Sequence, residues 1–85
     1  MYPSEYPTMT INELGSILRE MYGTAKDGDL VVMIYLFGVK YAEQIETCGG
    51  TAKDIAKAAG ISDTYGTEIR KGVRLAQYVT VKPSA

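Results

Sequence analysis

One glycine between two helical patterns constrains this chain most: Ala59-Gly60-Ile61-Ser62, set between TAKDIAKA and TYGTEIRKGVRLA. Gly60 can take the left-handed backbone that ends a helix abruptly, Ile61 can then insert between two helices, and Ser62 can cap the second. Thr51 is placed to cap the first helix, with Ile55, Ala56 and Ala59 on its buried side and Ala56 small where a neighbour must cross. The pattern predicts two helices packed across a tight corner, the second running over about 62–76. At 100° per residue, Tyr65, Ile69, Gly72, Val73 and Ala76 share one face of that second helix, and Asp63, Thr67, Arg70, Lys71 and Arg74 share the opposite one. One face is apolar and small, and the other is polar and basic.

The 85 residues make one small domain, and its 46% hydrophobic content is that of a folded chain. Residues 1–9, with two prolines and no period, read as a mobile N-terminal tail. Thr10-x-x-Glu13 is a capping box opening a first helix. Ile11, Leu14, Ile17, Leu18, Met21 and Tyr22 give that helix one apolar face, and Gly23 marks its stop. A second helix is expected over Leu30–Glu46, apolar on all sides in its first half. A helix of that kind belongs at a bundle centre or between subunits, so a homodimer through residues 30–46 is the expected remedy in a domain this small. The pentapeptide Gly-Thr-Ala-Lys-Asp occurs at 23–27 and at 50–54; both copies read as helix-opening Thr-x-x-Asp signatures. Tyr78–Lys82 alternates with β-branched residues and reads as one short strand that needs a pairing partner.

The net charge of −1 conceals an asymmetry. Residues 1–50 carry seven acidic and three basic side chains, whereas residues 51–85 carry three acidic and six basic ones. A local basic stripe is the electrostatic footprint of a phosphate-contacting surface. Other functions find little support. The chain has no histidine, no Gly-rich phosphate loop and a single cysteine, Cys48, beside Gly49-Gly50, so neither catalysis, a metal site nor a cofactor is expected, and no small-molecule ligand is evident. The longest apolar run, Leu30–Phe37, is eight residues, far short of a membrane span, and no signal peptide is evident. With one cysteine and no disulfide framework, a cytoplasmic location is expected.

Around Gly60, KDIAKAAGIS resembles the helix-turn-helix opening of the lactose-repressor family and, more broadly, of bacterial and phage repressors. Ile55, Ala56, Ala59, Gly60, Ile61 and Ile69 carry the resemblance, which covers roughly 20 residues. Six residues after the glycine that motif expects a branched apolar residue, and here stands Gly66. The likeness is to the motif, since in that family it stands at the N-terminus and here it follows two helices. With the helices and strand read above, the fold expected is mainly α: a four-helix helix-turn-helix domain over 10–85, its turn at 59–62, with the C-terminal strand as an incomplete wing. The likeness implies double-stranded DNA as partner, with the helix over 62–76 in the major groove. Thr51 and Lys53 would then contact phosphate, Thr64 and Thr67 would lie near bases with Asp63 on the same face, and Arg70, Lys71 and Arg74 would serve either role. The expected function is a DNA-binding module of a transcriptional regulator or DNA-targeting system; the competing reading is a protein-interaction or dimerisation module.

Overall fold

The computed structural model describes residues 8–82. Among them five α-helices follow one another: α1 Ile11–Gly23, α2 Leu30–Lys40, α3 Ala42–Thr47, α4 Ala52–Ala58 and α5 Gly66–Leu75, the last preceded by a single 3-10 turn over Asp63–Tyr65. The capping box of α1 forms as its sequence predicts. The Thr10 hydroxyl accepts from the Glu13 N–H at 3.0 Å, and the Glu13 carboxylate accepts from the Thr10 N–H at 2.9 Å. Leu14 and Leu18 of α1, Ile34 and Phe37 of α2, Ile55 of α4 and Ile69 of α5 are fully buried together as the core.

Two helix crossings bring backbones nearly into contact, and glycines make both possible. Where α2 crosses α5, Gly38 faces Gly72. A Cβ on Gly38 would stand 2.9 Å from the Gly72 Cα and overlap the Ile69 carbonyl oxygen, and one on Gly72 would overlap the Tyr35 carbonyl oxygen. Where α1 crosses α4, a Cβ on Gly15 would stand 2.7 Å from the Ala58 Cβ. Such closeness lets main-chain atoms supply dispersion contacts that larger side chains supply elsewhere.

The structure corrects four expectations. The helix expected over residues 30–46 bends at Tyr41 (φ −111°, ψ 24°), which both closes α2 and opens α3. The hydrogen-bond ladder runs through the bend, with the Tyr41 N–H donating to Phe37 and the Ile45 N–H to Tyr41. The bend turns α3 against the end of α5, where Ala42 and Glu43 share a surface groove with Val73 and Ala76. The expected four helices are therefore five. The first Gly-Thr-Ala-Lys-Asp copy closes α1 and does not open α2: Thr24 is the C-cap residue, and its hydroxyl donates to the Met21 carbonyl. Finally, no strand forms among the described residues. A lone strand has nothing to pair with, and the Tyr78 and Val79 N–H groups instead donate to the Leu75 carbonyl, extending the last turn of α5. Of the tail expected over 1–9, residues 1–7 lie outside the described residues, and Met9 packs against the core.

The α2–α5 crossing makes a direct prediction. Gly72→Ala forces backbone atoms apart and should lower stability by about 1–3 kcal/mol, whereas Gly23→Ala, with nothing within 4 Å of its Cβ position, should leave the thermal midpoint unchanged or raise it. Equal midpoints for the two variants would contradict the crossing.

Candidate nucleic-acid interface

The corner between α4 and α5 is built from backbone bonds. Gly60 has φ +79°, the left-handed region. Its N–H donates to the Lys57 carbonyl at 3.0 Å, and the Ile61 N–H reaches back to Ala56 at 3.1 Å. This pair of bonds is the Schellman closure of a helix, with Ile61 packed against the core as its apolar contact. Ser62 then starts the next segment: its hydroxyl accepts from the Thr64 N–H at 3.3 Å, and its carbonyl accepts from the Tyr65 N–H at 3.1 Å. The segment expected as one helix over about 62–76 is a 3-10 turn, Asp63–Tyr65, followed by α5, Gly66–Leu75.

Gly66 is accounted for by closeness. A Cβ there would stand 3.0 Å from the Lys53 nitrogen and 3.1 Å from its Cα, so the first turn of α4 fills the space a branched side chain would have taken. Tyr65 beside it is half-buried and meets Tyr22 of α1 edge to face, ring centroids 6.0 Å apart. The inward face of α5 is therefore Gly66, Ile69 and Gly72, fully buried, flanked by half-buried Val73 and Ala76.

All eight anticipated contact residues lie on the outer surface of α4 and of the segment that ends in α5. Thr51, Lys53, Thr64, Thr67, Arg70, Lys71 and Arg74 are exposed, and Asp63 is half-exposed. They are not equally available. The Thr51 hydroxyl accepts from the Asp54 N–H at 3.1 Å as the cap of α4, which leaves its proton and one lone pair to offer a ligand. Thr64 is held by the Ser62 hydroxyl at 2.8 Å. Lys53 lies 4.0 Å from Asp63, an ion pair joining α4 to the start of the next segment. Lys71 lies 3.7 Å from Glu68. Thr67, Arg70 and Arg74 have no ion-pair or side-chain hydrogen-bond partner among the described residues, so these three present unengaged polar groups along two turns of α5.

Two further residues of this surface stand outside the eight anticipated contacts. Lys57 stands exposed on α4. Glu68 accepts from the Tyr35 hydroxyl of α2 at 2.8 Å while holding Lys71, which ties the outward face of α5 to its neighbour. That bond, with burial second, raises the Tyr35 pKa above its ordinary value. The Tyr35 to Glu68 bond spans 33 residues, and no local pattern announces it.

A sequence model of a family described as an HTH-like domain matches residues 10–82. The chain belongs to this family. Neither the curated proteins nor the solved structures provide a match. The family supports a helix-turn-helix motif in the chain.

The cap of α4 titrates. Asp54 accepts from the Thr51 N–H at 3.0 Å, and that bond first, then the Thr51 hydroxyl and the nearby Lys57 and Lys53, hold its pKa below the ordinary value. A carboxylate with a lowered folded pKa stabilises the fold fully above its unfolded pKa and loses that contribution as pH falls through the folded value. Below about pH 4, the Asp54→Asn variant should therefore lose stability with pH less steeply than the wild type; parallel acid limbs in thermal melts would refute this. At neutral pH, Thr51→Ala should cost about 1 kcal/mol.

Proposed function

We propose that this domain binds double-stranded DNA by laying the outward face of α5 in the major groove, as a module of a transcriptional regulator or a DNA-targeting system acting in the cytoplasm. The observation that carries the reading is the unengaged row of Thr67, Arg70 and Arg74 on α5, held outward across a Schellman turn from a short, capped α4. An α-helix fits the major groove, arginines pair with guanine edges or with phosphates, and a threonine one turn earlier suits a base edge or a methyl group. The docking implied by the lactose-repressor likeness follows: Thr51 and Lys53 on phosphate, Thr64 and Thr67 near bases. Lys53 and Lys71 exchange a carboxylate, half-exposed on Asp63 and part-buried on Glu68, for a phosphate. Surface pairs are worth about 1 kcal/mol or less, so the exchange costs little.

The domain acts by binding and not by catalysis on this reading. Its single cysteine, Cys48, donates to the Ile45 carbonyl at 3.3 Å, and the chain has no histidine to act as a base. A homodimer through α2 belongs to the same reading. Leu30, Val31 and Val32 at the start of α2 are 36%, 39% and 49% exposed, an apolar surface that the described residues leave open.

Five cations lie on the proposed face, so affinity for random duplex should fall with salt at a log–log slope between about −3 and about −4.5. Arg70→Ala and Arg74→Ala should each weaken binding and flatten that slope by about 1. Lys71→Ala should do less, because Glu68 already holds that ammonium. Chemical shifts on titration should move within 51–57 and 62–74. Absence of binding at about 50 mM salt, or indifference to both arginine substitutions, would sink the proposal.

A further inference from the structure

On α2, Asp29, Met33, Leu36 and Lys40 are spaced by four, three and four residues, which aligns them on one helix face. At 100° per residue this face lies nearly opposite Gly38, the residue that meets Gly72 of α5. Asp29 and Lys40 are exposed, Met33 and Leu36 are half-buried, and Val32 beside them is 49% exposed. Met33, Leu36 and Lys40 also border an open groove of about 450 Å³, whose other walls are Ile17, Glu20 and Met21 of α1, its C-cap Thr24, Tyr41, and Val81 near the C-terminal end of the described residues. Asp29 occupies the N-cap position of α2 yet makes no capping hydrogen bond. Neither Asp29 nor Lys40 has an ion pair among the described residues; the Lys40 ammonium lies over the Tyr41 ring at 5.7 Å.

We propose that a second copy of this chain docks on this face, with the two α2 helices antiparallel and the two α5 helices turned away from each other. The occupant is read from the charge order acid, Met, Leu, base, which complements itself when reversed. In the antiparallel pair Met33 meets the partner's Leu36, Leu36 meets the partner's Met33, and Asp29 meets the partner's Lys40 at both ends. A parallel pair would set acid on acid and base on base. A two-fold interface needs one surface that complements itself in this manner. Because the seam lies on the side of α2 away from α5, the outward faces of the two α5 helices point in opposite directions. If α5 reads DNA, a clause that rests on the proposed function, the dimer holds two separate duplexes and does not read two half-sites of one.

Charge reversal tests the seam at two residues that make no ion pair among the described residues. Sedimentation of the 85-residue chain without DNA should show a monomer–dimer equilibrium. Asp29→Lys alone and Lys40→Asp alone should each weaken it by about tenfold or more, since symmetry turns two attractive pairs into two repulsive ones. The double variant Asp29→Lys/Lys40→Asp should recover it. Circular dichroism checks that each variant stays folded. A wild type that remains monomeric, single reversals without effect, or a double variant that fails to recover would overturn the interface. Duplex binding is measured separately. Wild type should bring two differently labelled duplexes together by energy transfer, and Asp29→Lys should bind a single duplex equally well without joining two. Recovery in the double variant with no duplex bound at all would support the seam while the DNA reading fails. Two subunits side by side on one duplex would overturn the back-to-back arrangement.

Discussion

The contact of Gly38 with Gly72 is the constraint on which the rest of this small domain depends. Helix axes usually stand about 8–10 Å apart because side chains hold them there. Here neither crossing residue has a side chain, and carbonyl oxygens of one helix lie against Cα atoms of the other. A domain with one phenylalanine, no tryptophan and few large core residues has little apolar bulk with which to fill gaps. Bringing backbones together removes the gaps instead. The same device recurs at Gly15 against Ala58 and at Gly66 against Lys53, so α4 and α5 are both seated by proximity. Each of these sites tolerates a methyl group poorly, for the reason that a larger core would tolerate the loss of one poorly.

That packing decides what the outward face of α5 carries. With Gly66, Ile69 and Gly72 spent on contact, the long cationic side chains of the helix, Arg70, Lys71 and Arg74, are left exposed, while Glu68 turns to the Tyr35 hydroxyl of α2. The electrostatics of that face are then arranged by local partners. Asp63 restrains Lys53, and Glu68, itself fixed by the Tyr35 hydroxyl, restrains Lys71. Such surface pairs are weak and screened by salt, and they orient cations without removing them. The result is a cationic surface on a chain whose net charge is −1. A surface of this kind has local attraction for a polyanion and little long-range pull from the molecule as a whole.

The legible parts of this fold were the ones in which chemistry is local. Thr10 with Glu13 and Thr51 with Asp54 are capping boxes complete within four residues, and both form. Gly60 with Ile61 and Ser62 specifies a corner by backbone conformation alone, and the division of α5 into two faces follows from helical period. What stayed hidden depends on neighbours distant in sequence. The bend at Tyr41 involves no proline or glycine at that position; it follows the docking of α3 on the end of α5. The pentapeptide at 23–27 carries the same residues as the one at 50–54, yet Thr24 arrives with a helix already behind it and closes that helix. Tyr78–Lys82 has the composition of a strand, but pairing is a property of two segments, and among the described residues no second one stands beside it. Gly66 is legible only with hindsight, since its meaning is the distance to Lys53.

Close packing at glycine also sets the rotation of α5 about its own axis, which no amount of outward charge could do. A turn of one residue, about 100°, would bring Lys71 or Val73 against the Gly38 backbone, where not even a Cβ fits. The helix is thereby confined to one azimuth, with Arg70 and Arg74 facing out. A helix seated by several large apolar side chains has more freedom, because rotamers of a loosely filled core can absorb a modest rotation. Recognition of any extended surface by side chains on a short helix requires that azimuth to be fixed before contact, since ordering it afterwards would cost binding free energy. In this domain the glycines of α2 and α5 supply that order in advance, and the ion pairs at Lys53 and Lys71 refine it.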